Sequence, residues 1–245
     1  MRTLQDWYET PLGQLVAQLE RELLDRHLDR WAGAHLLQVG GFGYGQRVLR
    51  ANTSRQWLVD LPGHGPVDCR LEPEHLPFQS DTMDMVVLVH SLEFGSNPHR
   101  VLREAERVLS PEGHLLVLSF NLFSLWGLAH AIPTLRRRGA PWCGEYFSSR
   151  RVRDWLTLLD MEILTIEHAL FRPPLRRLKL QDKLAGLERW GPKVAPWLGG
   201  IHLTVAKKHV VGLTPLQPAW RSRRRLVPGG LAQPTSRKVV DASLR

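Results

Sequence analysis

The chain has 245 residues, of which 43% are hydrophobic, enough for one α/β domain of ordinary size plus a tail. Its formal net charge is +9, but residues 209–245 alone hold seven Lys or Arg and one Asp, so the remainder is nearly balanced. Cys69 and Cys143 stand far apart and lack C-x-x-C or Cys/His ligand spacing. Composition therefore indicates neither a disulfide framework nor a zinc site, favours a reducing, cytoplasmic setting, and predicts no metal.

The first predicted element is an amphipathic helix over residues 12–31. Leu12 and Val16 begin an apolar stripe at helical spacing, and Glu20 with its charged neighbours is expected on the opposite, solvent-facing side. The N-terminus lacks the apolar core of a signal peptide. We expect residues 1–33 to form a helical segment packed on the domain.

A strand and a glycine turn follow in residues 36–45, LLQVGGFGYG, ahead of a helix start at 46–50. Gly40, Gly41 and Gly43 let the backbone turn sharply and leave room for a phosphate or nucleoside beside the helix start. The spacing is not the G-x-G-x-x-G of dinucleotide sites. A glycine-rich tight turn without a ligand remains the alternative.

The second strand, residues 56–60, ends in a carboxylate. At a strand tip, Asp60 can accept two hydrogen bonds from the vicinal diol of a ribose, although a solvated strand-end Asp fits equally well. The turn at 61–66 leads directly to a third strand at 67–71. The helix expected between two parallel strands is therefore missing or reduced to a loop.

The remaining elements alternate between strand and helix. Strands are predicted at residues 83–90, 115–120, 161–169 and 201–207, and helices at 98–109 and 149–159. This alternation describes an open, mostly parallel sheet whose ligands bind at the carboxyl ends of the strands. Four polar residues fall at such ends: Asp60, Glu72, His90 and Asn121.

Residues 115–133 contain no charged side chain and precede an arginine triplet at 136–138, which is the pattern of a membrane span with a positive flank. Small polar residues are spread through the stretch, and its first half has the pattern of a buried strand. We expect no transmembrane segment.

Several motifs between residues 72 and 120 carry a family resemblance. They read EPEHLPF at 72–78, TMDMVVLVHSLE at 82–93 and NPHRVLREAERVLSPEGHLLVLS at 97–119. Together they resemble the class I S-adenosylmethionine-dependent methyltransferases of the methyltransferase domain 11 type, and FNLFSLWGL at 120–128 resembles a bacterial subgroup of that family. The resemblance implies a Rossmann-like, seven-stranded, mostly parallel sheet with helices on both faces, a methyltransferase domain over 34–212, and S-adenosyl-L-methionine as cofactor.

The resemblance also implies roles for matching residues. It assigns the methionine part of the cofactor to Gly40, Gly41 and Gly43 with Gln38, the ribose to Asp60, the adenine edge to Glu72, Pro73 and Glu74, and a place beside the cofactor to His90. The family begins this turn with an acid, where the chain has Gln38. A neutral amide binds an ammonium less well than a carboxylate. An inactive methyltransferase-fold binding or regulatory protein is therefore the alternative function.

His90 and Asn121 are the candidate catalytic residues. His90 acts either as a general base or as a strand-end residue bonded to cofactor or backbone, and Asn121 either faces the acceptor or caps the next segment. The chain lacks the N-P-P-Y and Pro-Cys signatures of enzymes that methylate DNA bases. We therefore predict a small-molecule acceptor and no stable nucleic-acid complex. The apolar segment 120–132 and the aromatic residues Trp142, Tyr146 and Phe147 form either a lid over a small, partly apolar acceptor or plain core.

The C-terminal residues 213–245 contain four prolines, a Gly-Gly pair and an arginine run, without periodic apolar positions. This composition predicts a disordered basic tail. Such a tail is either simply solvated or makes a weak contact with an anionic partner such as RNA or lipid head groups.

Overall fold

The computed structural model describes residues 3–43, 52–60, 67–137, 139–175 and 178–209. The strands in these ranges are β1 (Ala32–Val39), β2 (Asn52–Asp60), β3 (Cys69–Arg70), β4 (Met83–Val89), β5 (Leu109–Phe120), β6 (Met161–Ala169) and β7 (Ile201–Lys208). The helices are α1 (Leu4–Tyr8), α2 (Pro11–Leu28), α3 (Ser91–Phe94), α4 (Pro98–Val108), α5 (Leu125–His130), α6 (Pro133–Arg136), α7 (Ser149–Leu158), α8 (Leu178–Lys183) and α9 (Leu187–Val194), with a 3₁₀ turn at Pro196–Leu198. The predicted helix start at 46–50, the turn at 61–66 and the tail at 213–245 lie outside the described residues.

All seven strands belong to one sheet with the order β3-β2-β1-β4-β5-β7-β6. The pairs from β3 to β5 are parallel, whereas β7 runs antiparallel to both of its neighbours. This confirms the predicted Rossmann-like methyltransferase fold with a seven-stranded, mostly parallel sheet. The third strand is only two residues long, and the fifth begins earlier than predicted.

Side chains that alternate along the central strands divide the core into two layers. In β4, Met85 and Val87 pack with the apolar side of α2, whereas Val86 and Leu88 pack with α4 and α7. Both faces of β4 are therefore covered, as its continuous apolar sequence predicts.

Local sequence signals start the two longest helices. Thr10 precedes Pro11 and its hydroxyl accepts a hydrogen bond from the Gly13 amide, while Asn97 precedes Pro98 and caps α4 at the Arg100 amide. A capping side chain followed by proline at the first helical position is a strong start signal. The helices predicted from residues 12 and 98 are confirmed within two or three residues at each end.

The structure buries several side chains whose placement the sequence left open or put on the surface. Glu20, predicted on the solvent side of the first helix, is fully buried, so that prediction was wrong. Trp142, Tyr146 and Phe147 are buried in the two core layers, which favours core packing over a mobile lid. The charge-free stretch at 115–133 contains the buried end of β5 and the short helix α5. No helix in the described part of the chain is long and apolar enough to cross a bilayer.

Candidate functional site

The carboxyl ends of β1, β2 and β4 meet around a cavity of about 230 Å³. Its lining includes residues predicted for the cofactor and others that were not: Thr3, Leu4, Gln5, Gly40, Gly41, Asp60, Pro73, Val89, His90, Ser91 and Phe94. Ligands bind at this edge in open α/β sheets. The structure therefore brings much of the predicted cofactor set together at one place.

The glycine turn fits a close ligand. Gly40 has a φ of +87°, and a Cβ there would overlap the Val89 carbonyl oxygen, so no other residue can adopt this turn without strain. The Gly40 amide donates to the Val59 carbonyl at 2.8 Å, and the Gln38 side chain donates to the Gly40 carbonyl at 2.9 Å. Gln38 thus supports the turn from a buried position, and Gly43, also at positive φ, ends the described part of it.

Asp60 is at the tip of β2, where the family holds a ribose, and a second side chain already contacts it. The Gln5 amide nitrogen, on α1, donates to Asp60 Oδ2 at 2.8 Å. An amide N–H occupies the same acceptor that a ribose hydroxyl would use. Thr3, Leu4 and Gln5 all line the cavity, and its volume is below the roughly 300–1,000 Å³ of ordinary ligand pockets.

The loop after β3 contributes one residue to the cavity lining. Pro73 lines it, whereas Glu72 is exposed and lies 3.9 Å from His75. Glu74 is buried and accepts hydrogen bonds from the Ser96 amide at 2.6 Å and the Asn97 amide at 3.0 Å. Burial opposes ionisation, but these hydrogen bonds outweigh it and lower the pKa of the Glu74 carboxyl. Glu74 therefore fixes the start of the next helix.

His90 lies between two buried carboxylates at the end of β4. Its Nε2 is 2.9 Å from Glu20 on α2, and its Nδ1 is 3.0 Å from Glu93 on α3. Tyr8 donates to the other Glu20 oxygen at 2.7 Å, and the Phe120 amide donates to Glu93 at 2.5 Å. This buried cluster connects α1, α2 and α3 to the ends of β4 and β5.

Electrostatics fix the protonation state of His90. Burial, the largest influence, lowers the pKa of the imidazole, but the charges of Glu20 and Glu93 and their hydrogen bonds together raise it to about 10. His90 is thus an imidazolium at neutral pH, and both ring nitrogens donate to carboxylates. In this arrangement it has no lone pair to accept a proton, and its side chain holds helices in place.

Asn121, at the end of β5, is also engaged on both sides of its amide. Its Nδ2 donates to the carbonyls of Trp197 at 2.8 Å and Gly199 at 2.9 Å, and its Oδ1 accepts from the Phe123 amide at 3.2 Å. These bonds tie the end of β5 to the segment before β7. Asn121 also forms one wall of a second cavity.

This second cavity has a volume of about 500 Å³ and is mostly apolar. Its side chains come from the segment after β5, the start of α7 and the 3₁₀ turn: Leu122, Phe123, Leu125, Leu128, Arg150, Trp197 and Leu198, with three serines. Four of them, Leu122, Phe123, Leu125 and Leu128, belong to the segment 120–132, for which the sequence allows either a lid over the acceptor or core packing. The contribution of Trp197 and Leu198 was not predicted.

Methyl transfer needs little chemistry from the protein itself. When bound, S-adenosylmethionine supplies an activated methyl group on a sulfonium, so the protein has mainly to align an acceptor and remove water. In the described ranges, no group of three His, Cys, Asp or Glu side chains is arranged to hold a metal ion. Gly40, Gly41, Asp60 and Pro73 would hold the cofactor, provided that Gln5 leaves Asp60.

Comparison with known proteins agrees with this geometry. Residues 33–117 match the family model described as "Methyltransferase domain". Over 223 residues the chain is 34% identical to the uncharacterised protein YafS of Escherichia coli K12, covering 89% of this chain and 86% of that protein.

Solved structures share the fold. A S-adenosylmethionine-dependent methyltransferase of Thermotoga maritima superposes with a TM-score of 0.52 at 15% identity, covering 79% of this chain and 91% of that one. Geranyl diphosphate C-methyltransferase of Streptomyces coelicolor, solved with S-adenosylhomocysteine, gives a TM-score of 0.52 at 16% identity over 77% and 75% of the chains. The sheet order, the glycine turn and these matches agree: the chain belongs to the class I S-adenosylmethionine-dependent methyltransferases of the methyltransferase domain 11 type, with S-adenosyl-L-methionine as cofactor.

Proposed function

We propose that this methyltransferase acts on an apolar small molecule, which binds in the 500 Å³ cavity at the end of β5. The observation that carries the proposal is the lining of that cavity by leucine, phenylalanine and tryptophan side chains. Its volume lies within the roughly 300–1,000 Å³ typical of small-molecule sites. This apolar cavity opens at the end of β5, which is the neighbour of β4 in the sheet. The tip of β4 borders the cofactor cavity.

The residues near the two cavities then take distinct roles. Gly40, Gly41 and Gly43 hold the methionine part of the cofactor, and Asp60 holds its ribose. Asn121 shapes the acceptor cavity through its bonds to the Trp197 and Gly199 carbonyls. Both cysteines are free thiols, which fits a cytoplasmic location.

Methyl-labelled S-adenosylmethionine tests the proposal directly. The full chain is incubated with a bacterial extract, which is then separated into organic-soluble, nucleic-acid and protein fractions. We expect the label in the organic-soluble fraction. Label in nucleic acid or protein would overturn the small-molecule proposal, and no label at all, with S-adenosylhomocysteine still bound, would support the inactive alternative.

A pair of variants tests the cavity itself. Leu125→Gln places a polar amide on the cavity wall and should lower organic-soluble product about tenfold, because roughly 1–3 kcal/mol is lost when an amide is buried without a partner. Leu158→Gln, at an exposed leucine of α7 outside the cavity, should leave the product yield unchanged. Equal yields from the two variants would place the acceptor elsewhere.

A further inference from the structure

Six exposed apolar side chains of the described residues lie together around one cavity. Phe123 is 63% exposed, Leu128 67% and Trp197 61%, although each is a large hydrophobic residue. We call their surroundings the β5-end surface, defined by Leu122, Phe123, Leu125, Leu128, Trp197 and Leu198. These six residues line one cavity, so they share one face of the molecule. Contiguous apolar patches of this kind mark interaction sites.

The helix α5 shows that this exposure is not loose packing. Trp126 and His130, four residues apart, are buried, and the Trp126 indole donates to the Arg172 carbonyl at 2.8 Å. Leu125 and Leu128 lie on the other side of the same helix and face solvent. The helix is therefore apolar on both sides, and only one side is covered by the protein.

Arginine is the prevailing charged residue in the sequence around this surface, although Glu145 is also exposed. Residues 113–144 contain no Asp or Glu. Arg136, at the end of α6, and Arg137, directly after it, are exposed, and Arg150 forms part of the cavity wall. Within the described ranges none of these three guanidinium groups forms an ion pair. Their charge is available to an anionic partner.

We propose that the β5-end surface docks on an anionic phospholipid bilayer, with its leucine, phenylalanine and tryptophan side chains among the acyl chains. Apolar residues flanked by arginine are the composition of segments that lie in the membrane interface. Each arginine near an anionic surface contributes about 1 kcal/mol, or about fivefold in binding. The protein lies on the membrane rather than spanning it.

Docking in this orientation would open the acceptor cavity toward the bilayer. An apolar acceptor could then enter from the lipid phase without crossing water. This last step rests on the proposed function, whereas docking itself does not, because vesicle binding needs neither cofactor nor acceptor. Membrane docking and the proposed acceptor are therefore tested by separate experiments, and either can fail without the other.

The experiment is vesicle flotation of the full chain. Vesicles of phosphatidylcholine alone are compared with vesicles of equal parts phosphatidylcholine and phosphatidylglycerol. We expect binding to the anionic vesicles and at least tenfold less binding to the neutral ones. Absence of binding to either vesicle overturns the proposal and leaves a protein partner for this surface.

Matched variants separate this surface from other contacts. The double variant Phe123→Ser/Leu128→Ser should reduce binding at least tenfold, whereas Leu158→Ser/Leu164→Ser, at exposed leucines elsewhere, should bind like the parent. The double variant Arg136→Gln/Arg137→Gln should lose more of its binding to the anionic vesicles than Arg100→Gln/Arg103→Gln, which removes two arginines of α4. Unchanged binding of the Phe123/Leu128 variant would overturn the proposal, since the attraction would then come from charge alone.

Discussion

The neighbouring tips of β4 and β5 differ in the side chains that they bury and expose. At β4, Glu20, His90 and Glu93 are charged yet fully enclosed, and each has a partner of opposite charge within 3.0 Å. Past the end of β5, Phe123 and Leu128 are apolar yet exposed.

The two exceptions teach different things. Buried charges are tolerated where every one is paired, and here the pairs fasten α2 and α3 to the sheet. Exposed apolar groups gain nothing from the fold itself, so their cost is offset only when something else covers them. The charged cluster at the β4 tip thus stabilises the chain beside the cofactor cavity, whereas the exposed apolar groups past β5 fit the acceptor and the membrane surface proposed above.

Among the changes at these two strand tips, removing His90 should lower the stability of the protein most. His90→Ala leaves two carboxylates buried without a counter-charge, which costs about 3–5 kcal/mol of unfolding free energy. Chemical denaturation measures this loss. His75→Ala, at an exposed histidine 3.9 Å from Glu72, is the control and should change stability by less than about 0.5 kcal/mol. Similar losses of unfolding free energy in both variants would show that the cluster around His90 does not stabilise the fold.

The same cluster predicts how stability depends on pH. The pKa of His90 is raised from 6.5 to about 10 in the folded protein, so its contribution is complete below about pH 6.5 and is lost as the pH rises toward 10. The unfolding free energy of the parent should fall over this range, and that of His90→Ala should fall much less. If the unfolding free energies of the two proteins fall in parallel with pH, the raised pKa of His90 is contradicted.

A smaller change is expected at the cofactor turn. Gly40→Ala forces a side chain into a φ of +87° and against the Val89 carbonyl, costing about 1–3 kcal/mol and abolishing S-adenosylhomocysteine binding in calorimetry. Gly186→Ala is the matched control, because a Cβ there meets no atom within 4 Å. If Gly40→Ala binds the ligand like the parent, the cofactor lies elsewhere.

The smallest predicted effect concerns Gln5. Gln5→Ala removes the 2.8 Å hydrogen bond to Asp60 and should tighten S-adenosylhomocysteine binding about tenfold, since a hydrogen bond to a charged group contributes roughly 1.5–3 kcal/mol. Gln18→Ala removes a similar amide–carboxylate bond on the exposed side of α2 and should leave affinity unchanged. Weaker binding by Gln5→Ala would mean that α1 helps to hold the cofactor.

The elements of the fold were predictable because their signals are local. Periodicity located β4, and Asn97 with Pro98 located the start of α4, each within one or two residues. The partners of Asp60 and His90 were not predictable in this way. Gln5 is 55 residues from Asp60, and no local pattern relates the two.

The wrong prediction that Glu20 faces solvent has an identifiable cause. Its position continues the spacing of four that connects Val16 with Leu24, both of which are fully buried. Periodicity alone would have placed Glu20 in the core, but its charge assigned it to the solvent side. The burial of this carboxylate depends on His90, whose contribution becomes visible only in three dimensions.

The bond between Glu20 and His90 also bears on how the chain is made. The two residues are 70 positions apart, so α2 leaves the ribosome well before its charged partner exists. Until β4 follows, the helix must keep Glu20 hydrated and its apolar stripe uncovered. A nascent chain stalled before residue 90 would therefore expose the apolar side of this helix to chaperones, with the Glu20 carboxylate still lacking its imidazolium partner.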